Sequence, residues 1–198
     1  MRNLNLAILA SIALMTTLQV IAEDQQSPGL RELTQEELEH YEFDVEETTV
    51  LVKELSPGQQ YVLTSQRSEI KDLIARHLGI LRLKNDKSDV ALLQGLVDKK
   101  AIRAVDVRGW QGLGIVFGDI LAGDFGLHWV SYEDDLGLNK ALRWRKTENY
   151  VFPVTMFSKR VQFREKIDVA AVYDKMEKDI EQFKAYEKNR PVFKDRVR

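Results

Sequence analysis

The stretch from Gly109 to Arg160 constrains this chain most, beginning with the run GWQGLGIVFGDILAGDFG. Helical spacing puts Trp110, Leu113, Gly114, Phe117, Leu121 and Phe125 on one stripe, and Val116 and Ile120 widen it. Ile115 lies on the far side, so the segment is apolar nearly all round. A helix of that kind, from about Trp110 to Phe125, has to be buried. Gly112, Gly114, Gly118 and Gly123 each weaken it by about 1 kcal/mol relative to Ala, a loss that packing must offset. Gly114 and Gly118 are four apart and share a face on which another backbone can approach closely. Gly126 supplies the left-handed stop. A dinucleotide fingerprint needs G-x-G-x-x-G, and the run Gly112, Gly114, Gly118 has one residue too many in its second gap. No Gly-Lys-Ser/Thr follows, so a phosphate-binding loop is excluded as well.

Past Gly126 the hydrophobic period changes from helical to alternating. Leu127 to Glu133 puts Leu127, Trp129 and Ser131 on one face and His128, Val130 and Tyr132 on the other. Asp134 to Asn139, with Gly137, is the first turn. Ala141 to Arg145 is the second strand, with Leu142 and Trp144 opposite Arg143 and Arg145. Lys146 to Asn149 turns the chain into a third strand, Tyr150 to Phe152. Pro153 can open the next helix, along which Val154, Phe157, Arg160 and Val161 keep helical spacing. Asp168 caps a last helix from about Val169 to Tyr186, with Val172, Met176, Ile180 and Phe183 inward.

Upstream, Ser56-Pro57-Gly58-Gln59 is a helix start with a Ser cap, Pro at the first position and Gln three on. That helix runs to about Leu78 and stops at Gly79, with Ile70, Leu73, Ile74 and His77 inward. Another covers Ser88 to Lys99, with Val90, Leu93, Leu96 and Val97 inward. Thr48 to Glu54 alternates weakly, as a strand or an extended arm would. Thr34 to Glu37 fits a capping box for a short helix over Gln35 to Tyr41. The fold expected is α+β: helices packed on a short three-stranded antiparallel β-meander, in the order α-α-α-β-β-β-α-α.

Four regions follow. Residues 1–22 read as a signal peptide, with Arg2 before an apolar run and Val20-Ile21-Ala22 before acidic Glu23-Asp24, so cleavage is expected after Ala22. Residues 23–55 form an acidic extension, 56–187 a single α+β domain, and 188–198 a basic tail. No other stretch could cross a membrane. The chain has no cysteine, which excludes disulfides, thiolate catalysis, cysteine lipidation and Cys-based zinc sites. The expectation is a protein of the bacterial periplasm, off the membrane once the signal is cleaved.

Charge is unevenly placed. Glu23 to Leu55 carries 11 acidic and 2 basic residues, and Met156 to Arg198 carries 12 basic and 8 acidic. These ends could pair within one chain or across a homodimer. The tail interleaves its charges as an exposed helix does, which argues against nucleic acid.

Few residues carry chemistry. His40, His77 and His128 lie in three elements, none with a second ligand at helical or strand spacing, so neither a metal nor any other cofactor is expected. Glu133-Asp134-Asp135 beside Gly137 lacks the order of an EF-hand and reads as a solvated hairpin tip. Asp119 lies on the small-residue face of the central helix, near Gly112, Ile115 and Gly123. Asp124 follows the apolar stripe near the helix C-terminus, where the dipole disfavours an anion. A basic partner is expected there, from Arg143, Lys159 or Arg160. Thr155, Ser158, Lys159 and Arg160 form a second polar knot. If Pro153 opens a helix, Thr155 and Ser158 fall in its first turns, where free N–H groups can hold an anion. Neither Ser-x-x-Lys nor G-x-S-x-G spacing occurs.

The spans Gly112-Leu113-Gly114, Gly118-Asp119, Leu127, Trp129-Val130 and Phe152-Pro153-Val154-Thr155-Met156 with Ser158-Lys159-Arg160-Val161 resemble a bacterial family. It is the domain of unknown function 3806 (DUF3806), over roughly Ser56 to Lys178. The string from Phe152 to Arg160 is the specific part. The resemblance implies an α+β domain and no established activity. The reading is therefore a non-catalytic periplasmic module that binds an unidentified protein or small ligand. Its candidate binding residues are Trp110, Asp119, Asp124, Trp129, Arg143, Thr155, Ser158, Lys159 and Arg160. The alternative is a hydrolase-like enzyme using Asp119 and the Thr155–Arg160 knot.

Overall fold

The computed structural model describes Thr34 and residues 50–190. The expected signal peptide, the helix over Gln35 to Tyr41 and the end of the basic tail lie outside them.

The elements run β1 (Leu51–Lys53), α1 (Pro57–Leu78), α2 (Val90–Asp98), α3 (Val107–Phe125), β2 (Leu127–Asp134), β3 (Gly137–Trp144), β4 (Tyr150–Val151), α4 (Met156–Gln162) and α5 (Val169–Asn189). A single 3-10 turn, Lys87–Asp89, leads into α2. The class is α+β, with an antiparallel sheet in the order β1-β2-β3-β4. The expected three-strand meander is present as β2-β3-β4. A fourth strand, from the segment assigned to the acidic extension, pairs with its edge through Leu51 to Glu133 and Lys53 to Ser131.

Local chemistry explains the boundaries. Ser56 caps α1 in a full capping box with Gln59, and Gly79 ends that helix at φ 72°. Asp168 caps α5 by accepting from the Ala171 N–H at 2.9 Å. Asp106 does the same for α3 through the Gly109 N–H, so the central helix starts a turn earlier than periodicity alone suggests. Gly126 stops it in the left-handed region, and the chain turns directly into β2. The first hairpin is tighter than expected. Asp134 pairs with Gly137, leaving a two-residue turn in which the Asp134 carboxylate accepts from the Leu136 N–H.

Helix α3 is the axis of the core. From Leu113 to Gly118 every residue is buried, as are Trp110, Ile120 and Leu121. Around it pack Ile70 and Ile74 of α1, Leu93 and Leu96 of α2, Leu127 and Leu142 of the sheet, Phe157 of α4, and Val172, Tyr173 and Ile180 of α5. The Phe117 ring meets Phe157 edge-on at 5.2 Å and Tyr173 at 6.4 Å. His77, expected inward, is exposed, because the buried face of α1 runs Leu63, Gln66, Ile70, Ile74.

The small face of α3 admits backbone, as its glycines imply, although the visitor is not a helix. A Cβ on Gly114 would overlap the Pro153 carbonyl oxygen and stand 2.8 Å from that of Val154. One on Gly118 would stand 2.6 Å from the Trp129 ring and 2.7 Å from the Pro153 ring. Gly114→Leu and Gly118→Leu should each lower stability by about 3 kcal/mol or more through overpacking. Gly58→Ala, with nothing within 4 Å of its new methyl, should be neutral or stabilise by a few tenths up to about 1 kcal/mol. Thermal melts of the three variants check this. Core variants melting with wild type would show that the α3 contact yields freely.

Candidate functional site

Asp119 is the one candidate that the fold encloses in an ion pair. The Arg67 guanidinium of α1 reaches both of its oxygens, Nη2 at 2.8 Å to Oδ1 and Nε to Oδ2. The Trp129 indole N–H of β2 donates to Oδ1 at 3.0 Å. The side chains are 23% and 15% exposed, so the pair is largely shielded. Hydrogen bonding to Asp119 raises the Arg67 pKa above its ordinary value against the opposing effect of burial. The ion pair of α3 thus forms at Asp119, whereas a basic partner was expected for Asp124. It uses Arg67, which lies four residues beyond Leu63 and three before Ile70, on the flank of the buried face of α1.

Asp124 departs from expectation. It is exposed, and no Lys or Arg of the described residues pairs with it. Its carboxylate accepts from the Tyr173 hydroxyl at 2.7 Å. Asp124 lies on the exposed side of the last turn of α3, whereas Ala122 and Phe125 of that turn pack on the core, Phe125 also against Tyr173. Arg143, offered as its partner, bonds the Thr147 carbonyl at 2.7 Å and Glu148 at 2.9 Å instead. Arg160 donates to the Met156 carbonyl at 2.7 Å and lies 4.0 Å from Glu165.

The Thr155–Arg160 knot is not one site. Helix α4 begins at Met156 after a turn, not at Pro153, and Thr155 makes no side-chain cap. The Ser158 hydroxyl donates to the Thr155 carbonyl at 3.2 Å, and its side faces a groove with Trp110, Val161 and Arg164. Trp110 itself is buried, with its indole N–H on the Arg103 carbonyl at 3.0 Å. Thr155 and Lys159 line a different cleft, of about 550 Å³.

That cleft is the candidate site. The β4–α4 connection forms one wall with Phe152, Val154 and Thr155, and Lys159 follows one turn on. Helices α1 and α3 form the floor with Gln66, Arg108 and Gln111, and the first hairpin closes it with Leu136, Leu138 and Lys140. Asp119 does not line it. Arg108 is held by Glu69, at 2.6 Å from Nη2 to Oε1, and that bond holds the Glu69 carboxyl below its usual range. Gln66 is 5% exposed. Among the described residues its side-chain amide has no hydrogen-bond partner, and neither have the Thr155 hydroxyl and the Lys140 and Lys159 ammonium groups. No buried side-chain atom lacks a partner, so the Gln66 amide opens to the cleft. Sequence reasoning found Thr155 and Lys159 through the Phe152–Arg160 string. It missed Gln66, whose signal is a polar residue midway between Leu63 and Ile70. Among the described residues no His, Asp and Glu cluster could hold a metal, and no helix is long and apolar enough to cross a membrane.

Residues 89–173 match the model of the domain of unknown function DUF3806. The resemblance is shown over that span, which includes the Phe152–Arg160 string and excludes α1. No curated protein matches the chain. A crystal structure at 1.50 Å resolution of a protein from Bacteroides thetaiotaomicron VPI-5482 superposes with a TM-score of 0.57 at 15% identity. The match covers 63% of this chain and 46% of that one, so this chain spans under half of that structure's length. At such identity the likeness is one of fold.

Two measurements probe these contacts. Asp119→Ala strands Arg67 and should cost about 2–3 kcal/mol, the buried-pair figure discounted for partial exposure. Asp124→Ala, at an exposed site with one hydrogen bond, should cost about 1 kcal/mol. Denaturant melts compare them, and equal losses would contradict the assignment. Burial, and then a hydrogen bond to Glu148, push the Tyr150 phenol up to about 12. Burial and then Asp124 also raise Tyr173. The folded state keeps both protons longer than the unfolded chain. Their contribution is therefore intact below about pH 10 and lost as pH rises through the folded values. A spectrophotometric phenolate titration should show late transitions that Tyr150→Phe and Tyr173→Phe each remove in part.

Proposed function

We propose that this chain is an exported, non-catalytic module of the bacterial periplasm that binds a small ligand in the cleft between Gln66 and Lys159. One observation carries the reading. Five polar side chains that line one cleft, Gln66, Gln111, Lys140, Thr155 and Lys159, hold no hydrogen-bond partner among the described residues and are open to its space. Binding pockets have volumes of about 300–1,000 Å³, and this cleft falls in that range, with a lining in which polar side chains are prominent beside the apolar ones.

The hydrolase alternative needs Asp119 as a free acid or base beside Thr155 to Arg160. Three N–H groups occupy the Asp119 oxygens, and the knot is split between two surfaces. Both facts weigh against it. Export rests on the sequence, on the apolar run before Val20-Ile21-Ala22.

N-terminal sequencing of protein from a periplasmic extract should begin at Glu23, and an intact Met1 in a membrane fraction would sink the export reading. For binding, amide NMR spectra recorded against a panel of small polar metabolites should show shifts clustered on Gln66, Gln111, Asn139 and Thr155. Shifts confined to other surfaces across the whole panel would overturn the cleft as the site.

A further inference from the structure

The chemistry of the cleft narrows the ligand class, on the binding reading just given. Its charges do not all face a guest. Arg108 is neutralised by Glu69, and the Asp134 carboxylate accepts from the Leu136 N–H in the hairpin turn. Two ammonium groups remain unpaired, Lys140 on β3 and Lys159 on α4. Both line the cleft, one from the hairpin and one from the helix after β4, and an ammonium is a compact point charge suited to a carboxylate.

Gln66 sets a second requirement. A primary amide presents a carbonyl acceptor and two N–H donors, and the group that best matches it is another amide. It is fixed at the floor, 5% exposed, where α1 meets α3 at Gly112. Its amide atoms open to the cleft and meet no protein group among the described residues, so both its acceptor and its donors are available to a guest. The Thr155 hydroxyl, uncommitted to any helix cap, adds a donor and acceptor on the wall. Val62, Phe152, Val154, Leu136 and Leu138 supply apolar surface, and Leu136 is 88% exposed at the rim.

We propose that this cleft binds a small organic anion in which a carboxylate and an amide stand a few bonds apart. That chemistry belongs to a short acidic peptide and equally to an N-acetylated sugar acid. The amide pairs with Gln66 and Thr155, the carboxylate with Lys159 and Lys140, and the apolar part lies against Phe152 and Val154.

Isothermal titration calorimetry of the full chain tests this with four probes: N-acetyl-leucyl-glutamate, N-acetylmuramic acid, the neutral N-acetyl-leucine amide, and acetate. At least one of the first two should bind, and which one distinguishes the peptide from the sugar source. The neutral amide and acetate should bind at least tenfold more weakly. Gln66→Leu and Lys159→Gln should each weaken the anionic amide at least fivefold, and added salt should weaken it in wild type. Lys159 is exposed, so its variant keeps the test valid if Gln66→Leu folds poorly, and a circular dichroism melt checks both. Equal affinity for the neutral amide would overturn the anion class while leaving the cleft a binding site. Tight binding that both variants leave unchanged would overturn the cleft as well. Failure of both anionic amides to bind would overturn the ligand class, while the metabolite panel judges the binding reading by itself.

Discussion

At Gly114 the central helix has no side chain, and the carbonyl oxygens of Pro153 and Val154 occupy the space where one would be. One turn further along α3, Gly118 admits the Trp129 and Pro153 rings. On the side of α1, Gly112 lets Ile70 and the Gln66 carbonyl come in, to 2.9 Å and 3.2 Å of where its Cβ would be. These contacts, with backbone at Gly114 and Gly112 and with side chains at Gly118 and Gly112, set the close spacing of α1, α3 and the β4–α4 connection. Both walls of the cleft depend on them. Gln66 is placed by the α1 contact, and Phe152, Val154 and Thr155 by the approach of Pro153. The energetic cost of glycine in a helix, about 1 kcal/mol per position, is offset here by close packing at the axis of the core.

The same geometry explains which features could be read from the sequence. The α3 helix, its Gly126 stop, the Ser56 box and the Asp168 cap all depend on residues a few positions apart, and the structure has each of them. The faces of β2 and β3 follow from strict alternation, which groups Leu127 with Trp129, although Val130 and Ala141 on the other face are buried as well. Features that depend on distant partners were not accessible in this way. Arg67 and Asp119 are separated by 52 positions, and nothing local pairs them. Periodicity also overreached at helix ends. Asp124 and His77 continue apolar stripes at helix ends yet are exposed, while the next residues, Phe125 and Leu78, pack on the core. Strand Leu51–Lys53 sits at the sheet edge with only Val52 partly buried, which is why its alternation was weak.

The two polar clusters of the molecule differ in kind, and the difference bears on function. In the Arg67–Asp119–Trp129 cluster the strong donors and acceptors meet each other, with a planar guanidinium on both carboxylate oxygens and an indole N–H completing the shell. Such a group ties α1, α3 and β2 together and commits both carboxylate oxygens within the protein. The neighbouring residue of α1 is in the opposite condition. Gln66 is 5% exposed as a residue, yet its amide meets no protein group among the described residues and opens to the cleft. The amide atoms stay solvated there and remain free to pair with a guest. Adjacent residues on one helix therefore divide the work. Arg67 holds the fold closed, and Gln66 keeps one polar contact in reserve for what enters the cleft.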